Sequence, residues 1–199
     1  MSHYFIGLSL GQAQEHTALA LMQRLPLAEG PSFQVRHLQR YPIGSSYPSM
    51  AADLAQSLQR EPFRSSRPRL AIDATTVGRP VVEMFKRQRL PVTLRPVLIT
   101  AGDKVTHEDG FTRIAKRDLV GLVQVALQTR TLRIAATLKD ASTLVSELQN
   151  FRIKVTESTG DAFLAWREGA HDDLVLAVAL ALWEGQQAGV TVGKVVGCY

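Results

Sequence analysis

The sequence predicts an α/β fold, one mixed β-sheet flanked by helices. Three observations carry this. Three strand-like segments lead the chain, strand and helix signals then alternate, and the last helical segment is apolar nearly all round. A helix without a polar face must be buried, so it belongs between a sheet and further helices.

Residues 4–10 (YFIGLSL) are a compact apolar run that stops at Gly11, and residues 16–23 (HTALALMQ) continue it as the second arm of a hairpin. Residues 33–41 (FQVRHLQRY) alternate with period two, a third strand with one wet face. Ser45, Ser46 and Pro48 open a helix in which Met50, Leu54 and Leu58 recur at four-residue spacing. Residues 61–68 (EPFRSSRP) read as a loop. Residues 69–73 (RLAID) form a short strand ending in a carboxylate. After a turn, residues 79–89 form a helix with Val82, Phe85 and Lys86 one turn apart. Residues 91–99 are another strand. Residues 102–113 are polar and contain Asp109-Gly110, a hairpin-turn pair. Residues 116–130 place Leu119, Leu122, Val123, Ala126 and Leu127 on one helical face. Residues 140–150 are a second helix, and residues 151–155 and 162–167 a small peripheral hairpin. Residues 169–187 are the buried last helix. This gives one domain, residues 1–187, and a Gly- and Val-rich tail, residues 188–199, with no interdomain linker or repeat.

The 199 residues carry 23 Lys and Arg against 18 Asp and Glu, a net charge of +5. With 45% hydrophobic and 21% charged residues, the composition excludes a disordered chain, a collagen and a coiled coil. A single cysteine, Cys198, excludes a disulfide scaffold. The longest apolar run, residues 174–183, is about half of the ~18 residues of a membrane span. The N-terminus lacks a basic region and a small-residue cleavage site, so cytoplasmic residence is the default expectation. The positive charge is compatible with an anionic partner without requiring one.

Polar groups stand where elements begin or end at three places. Ser9 lies near the end of the first strand, Asp73 ends residues 69–73, and His171, Asp172 and Asp173 start the last helix. Ligands of open α/β sheets gather outside the carboxyl ends of strands. Carboxylates brought together there repel, and a hard divalent cation relieves the repulsion. Magnesium and manganese suit that role, and two such ions can activate water and stabilise a leaving oxygen in phosphodiester cleavage. Each residue also has a purely structural explanation. Asp73 can cap its own turn, Asp172 and Asp173 complement the helix dipole, and Ser9 can bond to backbone.

The segments FIGLSLGQAQEHTALAL, LAIDATTVGRPVVEMF, KRDLVGLVQVAL and GAHDDLVLAVALALW resemble the nuclease domain of phage large terminase subunits, over nearly the whole chain. The resemblance implies an RNase H-like mixed sheet flanked by helices. It also implies a metal-dependent endonuclease (Mg2+ or Mn2+, two ions in the family) acting on double-stranded DNA during genome packaging. Carried over, Asp73 matches the second acid of the family and Asp172 or Asp173 the third, with His171 beside them as a further metal ligand. Ser9 stands where the family has its first Asp. A hydroxyl is a weak, neutral ligand, so weakened activity and a single ion are expected. Glu15, on the hairpin, is another carboxylate in that stretch. Lys116, at the start of a helix, is the candidate catalytic cation near the acids.

Packaging terminases also carry an ATPase domain with a G-x-x-x-x-G-K-[ST] loop. Residues 189–195 (GVTVGKV) are one residue short and lack the Ser or Thr, so a stand-alone domain of prophage type is expected. Residues 7–11 (GLSLG) also resemble the phosphate loop of actin-like sugar kinases, which are much longer, two-domain chains. Three basic groups fit a DNA surface: Arg60, Arg64, Arg67 and Arg69; Lys86, Arg87 and Arg89; and Arg113, Lys116 and Arg117. The alternative expectation is a non-catalytic DNA-binding or scaffold domain in which the remaining acids are structural.

Overall fold

The computed structural model describes residues 3–12, 14–28, 30–102, 104–150 and 172–188. Strands β1 (His3–Ser9), β2 (Ala18–Leu27) and β3 (Gly30–Arg40) form an antiparallel meander. On the other side of β1, strands β4 (Arg69–Asp73), β5 (Thr93–Thr100) and β7 (Phe111–Ala115) add in parallel. Strand β6 (Thr106–Glu108) pairs antiparallel with β7, and β8 (Leu132–Ile134) parallel with β3. The eight-stranded order is β6-β7-β5-β4-β1-β2-β3-β8. This is the mixed sheet flanked by helices that the segment order predicts.

The sheet separates two cores, and period-two alternation sorts each strand between them. Phe5, Ala20, Ala71 and Val97 face α6 (Asp173–Gln187) and α4 (Lys116–Gln128). Ile6, Leu8, Leu70 and Ile72 face α1 (Tyr47–Leu58) and Phe85 of α3 (Gly78–Arg87). Leu174 through Gly185 are buried without exception, as expected of a helix apolar all round. Each such Leu or Val contributes roughly 1.5–3 kcal/mol by burial.

Glycines let α6 approach the sheet. A Cβ on Gly7 would lie 1.9 Å from the Ala177 carbonyl oxygen, and one on Gly185 3.2 Å from a Phe5 ring carbon. Helix α6 therefore runs antiparallel to β1. Its end packs on Phe5, its middle on Gly7, and its start reaches the Ser9 end of the strand. Near its far end, the buried Glu184 pairs with Arg69 Nε at 2.6 Å and Arg95 Nε at 2.7 Å. The Arg95 guanidinium also stands 5.6 Å from the Trp183 ring centre. Arg69, grouped by sequence with the DNA-facing cations, is instead half-buried and paired with Glu184.

Several elements differ from the expectation. Residues 61–68 contain a short helix, α2 (Phe63–Ser66), and Leu132–Ile134 pair with β3 although three residues are too few to show a period. Leu127 is 37% exposed, so it does not belong to the buried face of α4. Asp109 (φ 52°) and Gly110 (φ 79°) form the expected two-residue turn between Glu108 and Phe111. The proposed hairpin of residues 151–167 and the tail beyond residue 188 lie outside the described residues. Among the described residues no helix is long and apolar enough to cross a membrane.

Candidate active site at the sheet edge

Strands β1, β4, β5 and β7 run the same way, so their carboxyl ends share one edge of the sheet. Ser9 and Asp73 are direct Cα partners there. The register extends the row: Arg40 of β3 opposes Ala18 of β2, which opposes Ser9, and Asp73 opposes Val97. Residues level across a sheet share a face, and Ala18 and Val97 both face α6. Ser9 and Asp73 therefore point to the side where α6 begins, and both are buried.

The Asp73 carboxylate is held by its own turn. Its Oδ1 accepts from the Thr75 amide at 2.9 Å and from the Thr75 hydroxyl, whose oxygen accepts in turn from the Ile99 amide at 2.8 Å. This is the local capping role that the sequence allows for Asp73. The loops after β1 and β4 are tied together, with Gln12 Nε2 donating to the Thr76 carbonyl at 2.6 Å. Glu15 Oε2 accepts from the Gln12 amide at 3.2 Å, within its own loop.

Two cations meet the acids at the start of α6. Lys116 leaves the same edge, because β7 ends at Ala115, which is level with Thr100 at the end of β5. Its Nζ lies 2.8 Å from Asp172 Oδ2. A terminal guanidinium nitrogen of Arg40 lies 3.5 Å from Asp173 Oδ2. Asp172 occupies the N-cap position but its side chain makes no cap bond. The cap comes from α5 (Ala141–Asn150): Glu147 Oε2 accepts from the amides of Leu174 at 2.9 Å and Val175 at 3.1 Å. Asp140, just before α5, accepts from the Arg40 amide at 3.0 Å. Arg40, Asp140 and Glu147 were not among the residues the sequence singled out. Arg40 lies inside a strand signal and the two acids in a helix signal, about 100 residues away for Asp140, and no local pattern joins them. His171 lies outside the described residues.

Burial and the neighbouring Asp173 push the Glu147 carboxyl up to about 7, from 4.5. An acid whose folded pKa is raised binds more protons folded than unfolded between those values. Stability therefore falls as pH rises from about 4.5 to about 7. The expected result is that Glu147→Gln flattens the wild-type decline in melting temperature across that window. An unchanged slope would show that Glu147 titrates like an exposed glutamate.

The donor set can be weighed against the divalent ions of phosphodiester chemistry. One position of the row is a neutral hydroxyl, and both helix-start acids are ion-paired within the protein. Among the described residues no three His, Cys, Asp or Glu side chains are grouped to hold a metal. The set does not fit a two-ion site. A single hard ion asks less of the chain, since magnesium is commonly bound through one or two carboxylates and several waters.

The three basic groups named from sequence fall on two edges. Arg113, Lys116 and Arg117 lie at the Asp73 edge and are paired with Glu108, Asp172 and Asp118. The other two groups precede β4 and β5 and lie at the opposite edge, away from the acids.

No family model matches the sequence, and neither does any curated protein. The structure does resemble solved ones. The large terminase nuclease of thermophilic phage G20c superposes with a TM-score of 0.58 at 19% identity, over 92% of this chain and 82% of that one. The human cytomegalovirus terminase nuclease domain, soaked with Mn, gives 0.55 at 15% identity, over 91% and 83%. The nuclease domain of the bacteriophage SPP1 large terminase, with bound Mn, gives 0.53 at 9% identity, over 92% and 86%. The fold of this chain is the RNase H-like fold of large terminase nuclease domains.

Proposed function

We propose that this chain is a terminase-type, divalent-metal-dependent DNA endonuclease domain with attenuated activity. The observation that carries this is the level pairing of Ser9 with Asp73 at the carboxyl edge, on the face where α6 begins with Asp172 and Asp173. A bound magnesium or manganese ion would supply a polarised phosphate and an activated water. Asp73 and Asp173 would hold it, with His171 as a further ligand. Asp73 is pre-oriented for this by Thr75, so little rotamer entropy is lost. Lys116 neutralises Asp172 and would offer an ammonium to an incoming phosphate. Ser9 adds a hydroxyl where a carboxylate would complete a two-ion set, which accounts for the attenuation.

A second reading is a DNA-binding or scaffold domain without catalysis. The ion pairs Lys116–Asp172 and Arg40–Asp173 favour it, because they neutralise the acids without any metal. Nicking of supercoiled plasmid separates the two. The endonuclease reading expects slow nicking with manganese, less with magnesium, none with EDTA and none from Asp73→Asn. No nicking under any metal, from a folded protein that retains duplex, selects the second reading.

A further inference from the structure

The edge of the sheet opposite Asp73 carries a surface that the candidate site does not use. Arg60, Arg64 and Arg67 lie on the segment entering β4, and Arg87 and Arg89 on the segment entering β5. Arg130 enters β8, which runs parallel to β3 and hence to β1, so it arrives at the same edge. All six are exposed.

Two observations set these arginines apart. The first is pairing. At the Asp73 edge, Arg40, Arg113, Lys116 and Arg117 each have a carboxylate partner. None of the six on the far edge is within ion-pair distance of a described carboxylate. The acids nearest them in sequence are otherwise engaged: Glu61 accepts from the Ser65 hydroxyl at 2.7 Å, and Glu83 pairs with Lys86 at 2.8 Å. The second is backbone conformation. Arg67 (φ 44°), Arg89 (φ 49°) and Arg130 (φ 58°) each adopt the left-handed region just after a helix. Glycine is the usual residue there because it has no Cβ to clash. Three arginines in that conformation, on one edge, keep a guanidinium at a conformational cost that glycine would remove.

We infer that this far edge is a second nucleic-acid surface that holds the phosphate backbone of duplex DNA apart from the candidate site. Guanidinium forks match phosphate oxygens in pairs and read no sequence. The surface stands on charge and conformation alone; the choice of duplex DNA as its anion rests on the proposed function.

The test is the double variant Arg67→Gly, Arg89→Gly, which removes two charges where glycine fits the backbone. A labelled duplex is titrated at several salt concentrations with EDTA throughout, so binding is read independently of any metal. The expected result is an unchanged or higher melting temperature, a several-fold loss of affinity, and a log–log salt slope shallower by about 1.8 for two lost phosphate contacts. Unchanged affinity and slope in the folded variant would overturn the inference. So would wild-type protein that binds anionic phospholipid vesicles but not duplex. Plasmid nicking by the same variant at saturating protein tests the active-site proposal separately.

Discussion

Gly7→Ala is expected to cost more stability than alanine at any other described glycine. The new Cβ would stand 1.9 Å from the Ala177 carbonyl oxygen and 2.7 Å from the Ala181 nitrogen. Both are backbone atoms of a buried helix, so no rotamer change relieves the clash. Either α6 lifts off β1 by more than an ångström or β1 bends. The first opens a gap along a helix whose residues from Leu174 to Gly185 are all buried, and close-packed interiors absorb such gaps poorly. Overpacking usually costs about 1–3 kcal/mol; with backbone on both sides, about 4 kcal/mol or more is expected. That is much of the 5–15 kcal/mol by which ordinary domains are stable. Gly121→Ala is the matched control. A Cβ there meets nothing within 4 Å, and the position lies inside α4. It should gain about 0.5–1 kcal/mol through helix propensity. Urea unfolding of the two variants beside wild type checks both signs. If Gly7→Ala falls within 1 kcal/mol of wild type, α6 does not lie against β1 as described.

The parts of this molecule legible in the sequence are those with a local period or a local turn. Residues 69–73 read as a strand ending on Asp73 because three apolar residues, Leu70 to Ile72, precede a carboxylate and a turn, and β4 has those bounds. Asp109-Gly110 gave the hairpin between β6 and β7 for a similarly local reason. Arg69 and Asp73 show the limit. Four residues of strand separate them by ~13 Å at ~3.3 Å per residue. A cluster that looks adjacent in sequence is thus divided between two edges, and Arg69 turns to Glu184 of α6. Glu147 shows the same limit in the site itself. Its role as the cap of α6 depends on two amides 27 and 28 residues away. Nothing in the periodicity of α5 marks it. The acids and Lys116 were visible as strand-end and helix-start residues, whereas Arg40, which pairs with Asp173, was not, because an ion pair leaves no periodic trace.

Ser9→Asp is expected to make folding depend on metal and to raise nicking. Residue 9 is level with Asp73 on the adjacent parallel strand, and both positions are buried. Without a cation, two carboxylates ~5 Å apart repel by about 3 kcal/mol at an effective dielectric of ~20. At ~2–4 °C per kcal/mol for a chain of this size, the metal-free variant should melt roughly 6–12 °C below wild type. A divalent cation binding between the carboxylates returns that energy. Stabilisation at 100 times the dissociation constant is about 2.7 kcal/mol, so millimolar manganese should restore most of the loss if the site binds in the tens of micromolar. Wild type, with a hydroxyl at position 9, should shift far less. Arg40 and Lys116 set the size of the effect, since their ion pairs with Asp173 and Asp172 compete with the added cation. Nicking should rise by at least the 10–100-fold that supporting residues of metal sites typically contribute. Asp73→Asn in the Ser9→Asp background should abolish both the manganese-dependent melting shift and the gain in nicking. A folded Ser9→Asp protein whose melting temperature ignores manganese would show that positions 9 and 73 do not share an ion. The acids at the start of α6 would then serve only their ion pairs with Lys116 and Arg40.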